Sequence, residues 1–191
     1  MTAPFAKLES PTGLVVLRWL ISVVLVFGLI GCVTKGANNP PDPYVASSSG
    51  AKHRVPLPNF EETRVTVRTA DQVLSWCLLL ASTAAQRSRG LMTVTDPTLG
   101  GYDGMLFRYD ADTEEAFWMR NTPMPLSIAF VSSAGTLVSA VDMQPCGDTP
   151  DCQLYPPVGP YRLAIEVRQG RISTLGITPA STVVDEKSGC V

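Results

Sequence analysis

The chain has 191 residues, of which 45% are hydrophobic and 17% charged, enough for one domain with a buried core plus appendages. Its formal charge of −2 conceals an asymmetry: residues 1–60 carry five basic side chains against two acidic ones, and the remainder ten against fifteen. An acidic domain lacks the Lys/Arg surplus that neutralises phosphates, which excludes nucleic acid as a partner.

From the start of the chain, "RWLISVVLVFGLIGC" places Arg18 before an uninterrupted apolar run, residues 19–30, that stops at Gly31-Cys32. The run is shorter than the roughly 20 residues of a bilayer-spanning helix and matches a signal-peptide core. "LIGC" has the form of a bacterial lipobox, in which the small Gly31 admits a peptidase and the Cys32 sulfur takes the lipid. The expectation is a signal peptide over 1–31, a lipidated Cys32, and a domain held outside the cytoplasm at the membrane. An uncleaved anchor is the alternative. Residues 33–59 are rich in Pro, Ser, Asn and Gly with no apolar period, so 32–60 reads as the lipidated cysteine and a tether. As flexible chain it would span roughly 30 Å.

The globular part is expected over 61–191. "TRVTVRT" alternates like a strand, and "VLSWCLLLAST" (73–83) is dense enough for a central one. "AAQRSRGLM" (84–92) suits one or two helical turns ending before Gly90. Strands follow at "GMLFRY" (104–109) and "EEAFWMR" (114–120), then a hairpin over 126–143 turning near Gly135. "PYRLAIEVRQGRIS" (160–173) reads as a strand, a Gly170 turn and a short return strand, and "STVVDE" (181–186) as the last strand. Many short strands with little helix predict a mostly β domain, barrel-like or of packed sheets, with one or two short helices.

With Cys32 lipidated, Cys77, Cys146, Cys152 and Cys190 remain, an even number suited to an oxidising compartment. Cys146 and Cys152 flank the turn-prone "GDTPD", which a disulfide would close, leaving Cys77 for Cys190. Three pairings are open to four cysteines, and a buried, unpaired Cys77 is a further alternative.

The stretch "FWMRNTPMPL" (117–126) holds the densest chemistry. Two-residue alternation puts Trp118 and Arg120 on one strand face, where the guanidinium can stack on the indole or clamp an anionic group. Asn121 and Thr122 favour local backbone bonds before Pro123. The alternative reading is a strand terminus with Arg120 paired to a buried carboxylate such as Glu166 or Asp103. Glu166 lies on the β-strand face opposite Leu163, Ile165 and Val167, solvated or partnered by Arg89 or Arg120, and Asp103 precedes a Gly turn. Trp118, Arg120, Asn121, Arg89, Asp103 and Glu166 are therefore the candidate ligand-binding residues.

"RGLM" (89–92), "GMLF" (104–107), "FWMRNTPMPL", an "IAFV…G" hairpin, "PC" (145–146) and an "A-I-E-V…G" strand follow in order. This set resembles the prokaryotic family known as domain of unknown function 192, over about residues 62–186. The resemblance implies a single small β-rich domain, often exported, and brings no established activity. Where that family has an Asp after the Pro-Leu, Ser127 stands here, and its C-terminal "G-I-x-x-G-D" turn is replaced by "GITPAS".

The only histidine, His53, lies in the expected tether. Triads and histidine-ligated zinc are thereby excluded from the folded part, and no Walker or "GxGxxG" loop is present. Five methionines near the motifs (Met92, Met105, Met119, Met124, Met143) raise Cu(I) binding, against which core packing is the preferred reading. No cofactor or metal is expected. The functional expectation is a non-catalytic envelope module that binds a small polar ligand, glycan or protein. The alternatives are a carboxylate-dependent hydrolase of envelope polymers using Asp103, Asp142 and Glu166, and an assembly factor acting through its acidic face.

Overall fold

A computed structural model describes residues 53–190. The expected signal peptide, the expected lipidation at Cys32 and the expected tether up to residue 52 lie outside the described residues. Seven strands form one mixed sheet: β1 (Glu61–Arg68), β2 (Val73–Ala81), β3 (Gly104–Thr113), β5 (Leu126–Val131), β6 (Leu137–Met143), β8 (Tyr161–Arg168) and β9 (Thr182–Asp185). Their order is β6-β5-β8-β3-β2-β1-β9. Every neighbouring pair is antiparallel except β2–β3, whose parallel pairing requires a long crossover. That crossover carries the short helix α1 (Ala84–Arg89), opened by a capping box in which Thr83 and Gln86 satisfy each other's backbone N–H groups, and closed at Gly90.

β4 (Phe117–Trp118) and β7 (Leu154–Tyr155) form a separate two-stranded ribbon. The strand expected over 114–120 is therefore two residues long, and its partner was not predicted. The return strand expected after Gly170 is instead a 3-10 turn, Ser173–Leu175.

Both faces of the sheet are covered. One holds Val65, Val67, Leu78, Leu80, Ile165, Val167 and Val183, and the other the larger set around Leu79, Met105, Phe107, Ile128, Phe130 and Tyr161. Strand β5 is buried along its whole length, so polar alternation is lost there. The ends of the sheet approach each other where the Val183 N–H donates to Gly135 O at 2.8 Å. A cavity of about 430 Å3 lined in part by residues 132–135 and 182–185 lies at that seam, and the sheet does not close into a barrel, since β6 and β9 remain its edges. Gly104 is required by close approach, because a Cβ there would stand 2.3 Å from Glu166 O.

Residues 53–60, read from the sequence as the end of the tether, lie against the domain. The Val55 N–H donates to Gly100 O at 2.8 Å, and Arg54 reaches Glu62 at 3.4 Å and the Tyr102 ring at 5.9 Å. Both expected disulfides are made, Cys77–Cys190 and Cys146–Cys152.

The curled sheet is tied across by a charge pair. Arg108 Nε on β3 meets Asp185 Oδ2 on β9 at 2.6 Å, and Thr63 of β1 donates to the other carboxylate oxygen at 2.8 Å. Burial disfavours the Asp185 charge, but hydrogen bonds from Arg108, Thr63 and the Lys187 N–H outweigh it and hold the carboxyl below its ordinary value. Its contribution is thus present above the ordinary value and lost as pH falls through the lowered one. Arg108→Leu, which strands a buried carboxylate, is expected to cost about 3–5 kcal/mol at pH 7. Urea unfolding at pH 7 and pH 3 checks this: the loss should shrink at the lower pH, because protonation relieves the stranded carboxylate of the variant while the parent loses the advantage of its pair. An equal loss at both pH values would assign Arg108 a packing role only.

Candidate functional site

The motif at 117–126 divides by residue. Phe117 turns inward, its ring 4.9 Å from Phe107 and 5.8 Å from Phe130, both edge-on. Trp118 turns outward and remains 42% exposed, and its cross-strand partner Leu154 is 59% exposed. Met119 is buried. Arg120 follows on the Trp118 side, with its guanidinium carbon 5.8 Å from the indole centroid. Sequence alternation anticipated this pairing.

The acid that meets Arg120 is Asp148, at 2.6 Å from Nε and 2.5 Å from Nη2. It is neither Glu166 nor Asp103, the partners expected from sequence. Asp148 lies in the loop closed by Cys146–Cys152, and that loop is bound to the motif through its backbone. Arg120 and Thr122 both bridge to Cys146, and the Asn121 N–H donates to Gly147 O at 3.3 Å. The disulfide thus fixes the carboxylate beside the guanidinium.

Asn121 has a structural task as well. Its φ is +55°, a left-handed conformation that Asn tolerates, inside a turn in which the Thr122 N–H donates to Met119 O at 2.9 Å. Its carbonyl accepts from the Thr93 N–H at 2.7 Å, docking the crossover loop.

The other three candidate residues have different surroundings. Arg89 donates to Pro58 O at 2.9 Å and stands over the Phe60 ring at 5.2 Å, fastening residues 58–60. Asp103 accepts from the Cys77 N–H at 3.1 Å and lines a cavity of about 250 Å3 with Arg168 and Arg171. Glu166 sits on β8 between Met105 and Ile128, on the face opposite Leu163, Ile165 and Val167 as read from sequence. That face is not solvated, and no arginine among the described residues meets the carboxyl: Glu166 is 4% exposed, and burial pushes its carboxyl up to about 8. The structure therefore gathers Trp118, Arg120 and Asn121 and gives Arg89 and Glu166 other neighbours.

Sequence reasoning missed Asp148 and Leu154. A two-residue strand carries no periodicity, and Asp148 was read only as a turn residue inside "GDTPD". The six-residue spacing of Cys146 and Cys152 was the available signal, because a closed loop next to the motif must present its tip.

Ser127, standing where a carboxylate was expected from the family resemblance, donates to the Asp142 carboxylate on the adjacent strand and accepts from the Gly170 N–H at 2.8 Å. A carboxylate is thus supplied from β6. Glu62 lies within 4.8 Å of the Cys77 and Cys190 sulfurs, but those sulfurs are bonded to each other and present no thiolate for a metal. Met105, Met119 and Met143 are buried in the larger core, which fits packing.

The fold and site define a small, curled, mixed-sheet β domain with an exposed aromatic–guanidinium edge and no assembled catalytic constellation among the described residues. The chain belongs to the family described as DUF192, Uncharacterized ACR, COG1430, whose model matches residues 65–184. Among solved structures it is similar to a protein of unknown function from Novosphingobium aromaticivorans DSM 12444, with 30% identity, a TM-score of 0.59, and coverage of 69% of this chain and 90% of that one. It also shares its fold with a Sinorhizobium meliloti 1021 protein carrying a provisional transcription-regulator label, at 24% identity and a TM-score of 0.56, covering 66% and 95% of the two chains. No curated protein matches the chain.

Proposed function

We propose that the domain is a non-catalytic binding module of the cell envelope, held at the membrane through a lipidated Cys32, and that Trp118 and Arg120 form its recognition edge. The observation that carries this reading is the exposure of Trp118 beside Leu154, on a ribbon braced by the Cys146–Cys152 loop. An aromatic face next to a fork of donors suits a glycan or another polar ligand. The lipobox-like "LIGC" and the two disulfides support an exported, anchored location.

Carboxylate-dependent hydrolysis needs two carboxyls about 5–10 Å apart across one groove. Asp142 pairs in register with Ser127 and Glu166 with Ile128, so the two acids alternate onto opposite faces of the sheet. That arrangement does not favour the hydrolase.

Soluble peptidoglycan fragments titrated against the full chain should quench or shift tryptophan fluorescence saturably, and Trp118→Ala should abolish the response. The Arg120–Asp148 pair is exposed, with side chains 36% and 63% accessible, and is worth roughly 0–1 kcal/mol. Arg120→Ala should therefore weaken binding while moving the thermal midpoint by less than about 4 °C. A response that survives Trp118→Ala would remove the recognition edge from this site. A midpoint fall near ten degrees in Arg120→Ala would make the motif a folding element.

A further inference from the structure

The turn after β8 presents two arginines to one cavity. The Arg171 N–H donates to Arg168 O at 3.1 Å, which makes them the first and last residues of a β-turn, with Cα atoms within about 7 Å. Gly170, third in that turn, has φ +79°, a conformation open to glycine. Its N–H is held by the Ser127 hydroxyl at 2.8 Å, so β5 pins the turn from beneath.

Both residues line the cavity of about 250 Å3 together with Thr98, Leu99, Tyr102 and Asp103. Arg168 makes no ion pair or side-chain hydrogen bond among the described residues, and the Arg171 guanidinium has only a long contact of 3.5 Å to the Thr174 hydroxyl. Asp103, the one acid in the lining, already accepts from the Cys77 N–H. Two arginines brought to one cavity by the same turn make its charge positive, and their planar forks match the two oxygens of a carboxylate or phosphate. The loop opposite contributes shape: the N–H groups of Thr98 and Gly100 are taken by the Asp96 carboxylate and that of Gly101 by Thr98 O.

We infer that this cavity is a binding site for a small oxyanion, a phosphate or carboxylate group clamped by Arg168 and Arg171. Its volume lies below the roughly 300–1,000 Å3 of drug-sized pockets, which restricts the ligand to the anionic group and a few further atoms. This site is separate from the Trp118 edge, and neither depends on the other.

Isothermal titration of the full chain with inorganic phosphate, glycerol phosphate and succinate, at ionic strength held constant with KCl, tests the assignment. At least one probe should bind saturably at one site per chain. Arg168→Gln and Arg171→Gln should each weaken it at least tenfold, with their thermal midpoints near that of the parent. Arg162→Gln, which breaks the exposed pair with Asp112, should leave binding unchanged. Glycerol phosphate binding more tightly than inorganic phosphate would point to an esterified source such as a lipid headgroup, and the reverse order to the free anion. Binding by none of the three, binding retained in either arginine variant, or a response matched by KCl alone would overturn the site.

Discussion

The stability of this domain is expected to fall as pH rises from about 5 to 8, and Glu166→Gln should remove most of that fall. Glu166 has an ordinary value of 4.5 and is pushed up to about 8, with burial as the cause. It is flanked in register by Met105 and Ile128, and among the described residues no cation is hydrogen-bonded or ion-paired to it. Between those two values the unfolded chain has lost the proton while the folded chain retains it. Folding is therefore favoured most below 4.5, and this advantage is lost as pH rises through the folded value, at about 1.4 kcal/mol per pH unit. Summed over the window, the loss is on the order of 4 kcal/mol, or roughly 10–15 °C in the thermal midpoint. Asp185 acts in the opposite sense and at lower pH, since its value is depressed, so the two do not overlap. Thermal unfolding of the parent and Glu166→Gln at half-unit steps from pH 4.5 to 8.5 provides the measurement. Parallel curves would show that the Glu166 carboxyl reaches water or a cation in solution.

Loss of the Cys77–Cys190 disulfide should destabilise the domain about twice as much as loss of Cys146–Cys152. The first closes a loop of 113 residues and the second a loop of 6. Loop-closure entropy assigns them about 5 and about 2 kcal/mol. Local structure points the same way. Cys190 holds a C-terminal tail whose further attachments are hydrogen bonds: its own N–H to Glu62 Oε1 at 2.9 Å, its carbonyl to Arg54 at 2.5 Å, and Ser188 O to the Arg64 N–H at 2.8 Å. Without the bridge, that tail and the strap at residues 53–57 lose a common anchor. Thermal melts of the double variants Cys77→Ser/Cys190→Ser and Cys146→Ser/Cys152→Ser, with reduced parent protein as reference, separate the two. Equal losses would mean that the tail is already ordered in the unfolded ensemble or that the short loop carries unexpected packing. The short bridge should instead matter for the recognition edge, because it positions Asp148 against Arg120.

Most strands were legible from alternation and turn residues, and the β1, β2, β3, β5–β6 and β8 segments lie where Val, Leu and Phe periodicity put them. The helical turns before Gly90 and the chain reversals near Gly135 and Gly170 were readable for the same reason: each depends on neighbours within a few residues. The co-facial placement of Trp118 and Arg120 was readable too, because it needs only the two-residue repeat of a strand.

What the sequence determined by itself is thus local or covalent: the β-rich class, the family motif, and the complement of cysteines from which two disulfides form. What only the tertiary structure decided is which surfaces are covered and which distant groups meet. Alternation says that Glu166 faces away from Ile165, but not that a second core lies on that side and keeps its carboxyl from water. It says that Arg120 stands beside Trp118, but Asp148, a residue 28 positions further on, becomes its partner only when the disulfide loop folds against the motif. Arg168 and Arg171 are neighbours in the chain, but only the turn and the facing loop place them in one cavity. Periodicity records the direction of each side chain from its own backbone, whereas burial and pairing depend on contacts between segments far apart in the chain.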